Sequence, residues 1–128
     1  NGADNVTLFR VEEMHLIAAE TSLRAGNASD ALSYLNNIPA IRGLGADYYA
    51  SATLENILEE RRKEFAFEGL RFHDLSRMGM DMPQIDSFKQ LNDDLTGTPP
   101  AYGSHRYAYP IALAERNANP NMVQNYGY

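Results

Sequence analysis

Four carboxylates fall within one short stretch of this sequence: Glu60, Glu64, Glu68 and Asp74. Glu64 and Glu68 are four residues apart, so a helix would set them on one face. Two carboxyls so placed could serve glycoside hydrolysis, which needs them about 5 to 10 Å apart across an open cleft, one with a raised pKa. The neighbours oppose that chemistry. Arg61, Arg71 and Arg77 alternate with the acids, and Arg62 and Lys63 lie among them. Nearby cations lower a carboxylate's pKa. Glu60 stands three residues before Lys63, Arg61 three before Glu64, and Asp74 three after Arg71. Glu64 and Glu68 repel each other by a few tenths of a kcal/mol, so cationic partners are expected, with Arg71 and Arg77 the obvious ones. Phe65, Phe67, Leu70 and Phe72 run through the same residues. Charges beside buried aromatics persist only when paired. The stretch therefore reads as a structural ion-pair hub of Glu60, Arg61, Glu64, Glu68, Arg71, Asp74 and Arg77, with no catalytic residue among them. Phe65, Phe67 and Phe72 are expected in the core.

Other chemistry finds less support. His15, His73 and His105 are far apart and match no metal-binding spacing, so no metal site is expected. Ser76, Ser87 and Ser104 lack a nucleophile-elbow context. Gly43-Leu44-Gly45 is too short for a phosphate loop, and no lysine follows it. No cofactor is implied. The eight tyrosines are more suggestive. Tyr48, Tyr49 and Tyr102 stand in loop contexts, where a ring with a polar tip suits sugar stacking or protein contact. The plainer reading is that these rings cover helices.

Periodicity supplies the elements that position these groups. A first helix is expected from about Arg10 to Ala25. One of its stripes is Met14, Ile17, Ala18, Thr21 and Ala25; the other is Leu16, Ala19 and Leu23. Two stripes imply neighbours on two sides. Gly26 is a natural left-handed stop. A second helix, capped by Asn27 or Ser29, carries Ala31, Leu32, Leu35 and Ile38, and Pro39 is expected to break or kink it. Small Ala19 would let it approach at Ala31. Residues 10–42 then form a tetratricopeptide-like hairpin, with no second copy at a 34-residue period. Thr53 caps a third helix from Leu54 to about Glu68, with Leu54, Ile57, Leu58, Arg61 and Phe65 facing the core. Gly69 ends it, and a fourth helix runs from Arg71 to Met78. Residues 53–79 thus form an ion-paired helix pair, and 80–128 a long irregular loop and an ordered, wrapping tail. Within that last part, helical turns are expected near Asp86 to Leu91 and near Leu113 to Arg116. The fold class is all-α.

Bulk properties set outer bounds. A chain of 128 residues is one domain or part of one. A net charge of -6 argues against nucleic acid. Cysteine is absent, which removes disulfides and thiolate sites. No apolar run approaches the roughly 18 residues of a membrane span. Asn1-Gly2-Ala3-Asp4 reads as interior loop, so a longer parent protein is expected.

Three blocks of residues resemble one known family. The first is Arg10-x-x-Glu13-Met14-x-Leu16-Ile17-x-Ala19-Glu20, with Gly26 and Ala31-Leu32-x-x-Leu35-Asn36 after it. The second runs from Ile57-Leu58-x-Glu60-Arg61-x-x-Glu64-Phe65-Ala66-Phe67-Glu68-Gly69-x-Arg71 to Asp74-Leu75-x-Arg77-x-Gly79. The third is Tyr109-Pro110-Ile111, Glu115, and Asn119-Pro120-Asn121-x-x-Gln124-Asn125-x-Gly127-Tyr128. In this order they resemble the C-terminal part of the SusD/RagB family of outer-membrane nutrient-binding lipoproteins. The family often has an aromatic where this chain has His73, Trp where it has Met78, and Pro where it has Ala112. The resemblance implies helices built on tetratricopeptide-like hairpins. It also implies a lipid-anchored, non-enzymatic protein on the extracellular face of the outer membrane, whose anchor lies outside this chain. Such a protein would hand a glycan, in some members a peptide, to a SusC-like TonB-dependent transporter. The matched motifs are the family's structural signature and carry no ligand residue. A protein–protein adaptor of tetratricopeptide type is the alternative; it would continue as further repeats.

Overall fold

The computed structural model describes residues 9–83 and 100–128. The helical turn expected near Asp86 to Leu91 lies outside them. The described elements are α1 (Val11–Arg24), α2 (Ala28–Ile41), α3 (Leu54–Glu64), α4 (Leu70–Met78), a 3₁₀ turn (His105–Tyr107) and α5 (Leu113–Ala118). Among the described residues there is no strand, so the fold is all-α. The chain divides into two compact units, one up to Arg71 and one from Phe72 onward, with α4 running across the division.

In the first unit, α1 and α2 form the expected hairpin. Gly26 takes φ +83. The turn closes as a Schellman cap, the Asn27 amide donating to the Ser22 carbonyl at 2.9 Å and the Gly26 amide to that of Leu23 at 3.0 Å. Leu16, Ala19, Leu35, Ile38, Ile57 and Phe65 make one buried cluster, and Leu70 packs against it. Ala31 is also fully buried. Only one face of α1 enters this core; Met14 and Ile17, on the other stripe, are exposed.

Pro39 does not break α2, which continues to Ile41. Its position explains the tolerance. It sits in the last turn, so it forfeits one helical bond to the Leu35 carbonyl. Its own carbonyl still accepts from Leu44 at 2.9 Å, as part of the cap at Gly43. Thr53 caps α3 as expected, its hydroxyl accepting from the Asn56 amide at 3.1 Å.

α3 ends at Glu64, earlier than periodicity indicates. Beyond it Phe67 adopts φ +68, a left-handed conformation rare for a bulky side chain. That backbone turns the ring outward, so Phe67 is fully exposed rather than part of the core.

Among the described residues of the second unit, side-chain amides tie the tail to its own backbone. Gln124 grips the Ile111 backbone at both ends, Oε1 accepting from its amide at 2.8 Å and Nε2 donating to its carbonyl at 3.1 Å. Asn125 Nδ2 donates to the Tyr109 carbonyl at 2.7 Å, and the Tyr128 hydroxyl to the Ala108 carbonyl at 2.9 Å. Asn119 Oδ1 accepts from the Asn121 amide at 3.1 Å, the turn expected of Asn-Pro-Asn. The tail is therefore ordered by its own amide network. Gly127 is required by its surroundings: at φ +92, a Cβ there would sit 2.3 Å from the His105 ring.

Candidate functional site

The charged groups of α3 are anchored from the ends of the helical hairpin. Arg10, at the N-cap of α1, donates to Glu64 Oε1 at 2.8 Å, to the Glu64 carbonyl at 3.0 Å and to Glu68 Oε1 at 2.8 Å. Its guanidinium lies 5.0 Å from the centre of the Phe65 ring. Arg42, the C-cap of α2, donates through Nε to Glu64 Oε2 at 3.1 Å and also meets Glu12 at 3.3 Å. The Glu64 side chain is only 6% exposed. The partners of Glu64 and Glu68 are thus Arg10 and Arg42, a correction to the expectation of Arg71 and Arg77. Asp74 is likewise paired with Arg77, at 2.9 Å, where Arg71 was expected. The buried Arg61 lies over Phe65 at 5.2 Å.

These contacts set the charge state of Glu64. The hydrogen bond from Arg42, seconded by that from Arg10, holds Glu64 below the usual carboxylate range. A hydrogen bond from Arg62 does the same for Glu59. A general acid at neutral pH needs the opposite shift.

Two of the singled-out tyrosines join this region. Tyr49 donates its hydroxyl to Glu60 Oε2 at 2.7 Å and accepts from Lys63 at 2.8 Å, and Lys63 pairs with Glu60 at 2.6 Å. Burial, above all, pushes the Tyr49 phenol up to about 12. Asn36 fixes the Tyr49 backbone, accepting from its amide at 2.9 Å and donating to its carbonyl at 3.0 Å. Tyr49 is therefore committed to holding the loop on α2 and α3. Tyr48 stands edge-on to Tyr49 at 4.9 Å, with Lys63 4.9 Å above its ring, and is half exposed.

Tyr102 belongs to the second unit. Its amide donates to Asp81 Oδ1 at 2.7 Å, and its ring meets that of Tyr107 edge-on at 5.7 Å. Tyr107 also stacks at a tilt on Phe72, 5.6 Å away. Phe72, expected in the core, is only part-buried. Phe72 and Tyr107, with Met82, Pro100, Arg106, Tyr109 and Tyr128, line an open hollow of about 250 Å³; Tyr102 is not part of the lining. Sequence reasoning did not single out Tyr109, Tyr128 or Arg106, because their grouping depends on how the tail folds back. Among the described residues no group of acids and histidines is placed to hold a metal ion.

The profile of the SusD family matches residues 1–128, the whole chain. This chain belongs to the SusD family. It is 32% identical to the starch-binding protein SusD of Bacteroides thetaiotaomicron, over 97% of this chain and 22% of that protein. The SusD-like proteins P25 and P38 of Formosa agariphila are 26% and 27% identical, over 98% and 97% of this chain and 24% and 25% of their own lengths. The chain thus spans about a quarter of the length of these curated relatives. In this SusD-family chain, Arg10 from the first signature block meets Glu64 and Glu68 from the second. Gln124 and Asn125 of the third block hold the backbone of Tyr109 and Ile111.

Proposed function

We propose that this SusD-family chain is part of a cell-surface nutrient-binding protein. It takes up a glycan outside the cell and delivers it to a SusC-like TonB-dependent transporter, without chemical turnover. The observation that carries this reading is the family match along all 128 residues, together with the likeness to a protein named for starch binding. The electrostatics agree with binding rather than hydrolysis. The buried Glu64 carboxylate is kept ionised by arginines, and Tyr49 and Lys63 are spent on holding Glu60. No helix of the described residues is long and apolar enough to cross a membrane; a lipid anchor elsewhere in the protein belongs to the proposal.

The test is calorimetric titration of the intact protein with maltoheptaose, xylohexaose, mannohexaose and oligogalacturonate. Saturable binding of at least one, without release of shorter sugars, is expected. Co-purification with a TonB-dependent transporter from outer membranes tests delivery. Failure to bind any of the four, or cleavage of one, contradicts the reading.

A further inference from the structure

We infer that Phe67 and the outer stripe of α1 form an internal docking surface. In the intact protein, an apolar segment of the same polypeptide outside these 128 residues covers the Phe67 ring and Val11, Met14 and Ile17. The inference goes beyond glycan binding and does not depend on it.

Two features of Phe67 point the same way. Its backbone is left-handed, at φ +68, where a bulky side chain is a genuine outlier. Its ring is fully exposed. Strain of this kind persists only where the surroundings hold it, and here both sides are held. Phe65 is buried in the core, the Glu68 amide donates to the Phe65 carbonyl at 3.1 Å, and Arg10 donates to the Glu68 carboxylate at 2.8 Å. Fixed backbone thus presents an aromatic ring that finds no cover in its own unit. Other apolar residues neighbour the same ion pairs. Val11 follows Arg10 and Ile41 precedes Arg42, and both are exposed. From Val11 the stripe continues through Met14 and Ile17, also exposed. Three-residue spacing sets these side chains along one face of α1, as a ridge of the kind that packs into the groove of another helix. The other face of α1, with Leu16 and Ala19, is already buried in the core.

Length argues for the occupant. The chain spans about a quarter of its curated relatives, so in a protein of their length three quarters of the polypeptide has still to pack. A tethered segment acts at a high effective concentration, an advantage that a sugar, a second copy or a transporter lacks.

The test uses the intact protein without sugar. Phe67→Asn separates the alternatives by sign, because asparagine tolerates the left-handed region and relieves the backbone. With the ring covered, its loss should lower the melting temperature by about 5 °C or more. With the ring in solvent, only the relief of strain remains; an unchanged or higher melting temperature overturns the inference. Hydroxyl-radical footprinting of the unmodified protein gives a readout independent of that variant's folding. Met14 and Phe67 should be protected in the native protein and reactive after heat denaturation; native reactivity at the denatured level overturns the inference. A photo-crosslinker, p-benzoylphenylalanine, placed at residue 67 identifies the occupant. A crosslink within one molecule to a residue outside these 128 supports the inference. A crosslinked dimer, a crosslink within these 128 residues, or one that forms only with added sugar or transporter overturns it. Each of these results leaves the glycan-binding reading in place.

Discussion

At the scale of single residues, the ion pairs of α3 are unequal. Glu64 is buried between two arginines, whereas Arg62 and Glu59 pair in solvent. Exposed pairs contribute little, and breaking a buried one is costly. Arg10→Ala leaves Glu64 with one cation and Glu68 with none of its observed contacts, so urea denaturation should show a loss of about 3 kcal/mol. Arg71, part-buried and near Glu59, should matter less than Arg10, and Arg71→Ala should cost under about 1 kcal/mol. The pH dependence has a definite sign. The folded pKa of Glu64 is depressed, first by Arg42. Its stabilisation is therefore complete above the unfolded pKa of about 4.3 and is lost as pH falls through the lower folded value. A melting series from pH 6 to pH 2 should show this acid limb, and Glu64→Gln should flatten it. Tyr49→Phe removes one hydrogen-bonded bridge and should cost about 1 kcal/mol in the same denaturation. The Tyr49 phenol, raised to about 12, contributes stability that is complete below its unfolded pKa of about 10 and lost as pH rises above it.

At the scale of elements, local rules served where the cause was local. Gly26 and Thr53 mark helix ends because each acts within a few residues of itself. Thr53→Ala should cost about 1 kcal/mol in thermal unfolding through the lost cap. Pro39 was misleading for a related reason: its damage depends on how many helical bonds follow it, and in a last turn one bond is lost. Phe67 was misread because helical periodicity was extended past Glu64, and a left-handed residue reverses the direction of everything placed on it. The partners of Glu64 were out of reach of any spacing rule. Arg10 lies 54 residues away in sequence and Arg42 lies 22 away, and packing of the hairpin brings both in. Spacing therefore points to Glu64 itself and leaves out the two arginines that meet it. The aromatic hollow was hidden for the same reason, since Gln124, Asn125 and Gly127 must fold the tail before Tyr109 and Tyr128 meet.

At the scale of the molecule, two kinds of cohesion coexist. The first unit has a buried apolar cluster framed by ion pairs, and in the described residues of the second, side-chain amides and a hydroxyl bond the tail's backbone. Gly127→Ala should disrupt the second kind, because its Cβ would overlap the His105 ring; limited proteolysis should then cut the tail first. The shared signature of the SusD family would on this account be architectural, with recognition left to residues outside it. The most direct test is Glu64→Gln in the intact protein, followed by melting and by titration with its preferred oligosaccharide. The account predicts a clear fall in melting temperature and an affinity unchanged within two-fold. An unchanged melting temperature with binding abolished would place Glu64 in the recognition site and contradict it.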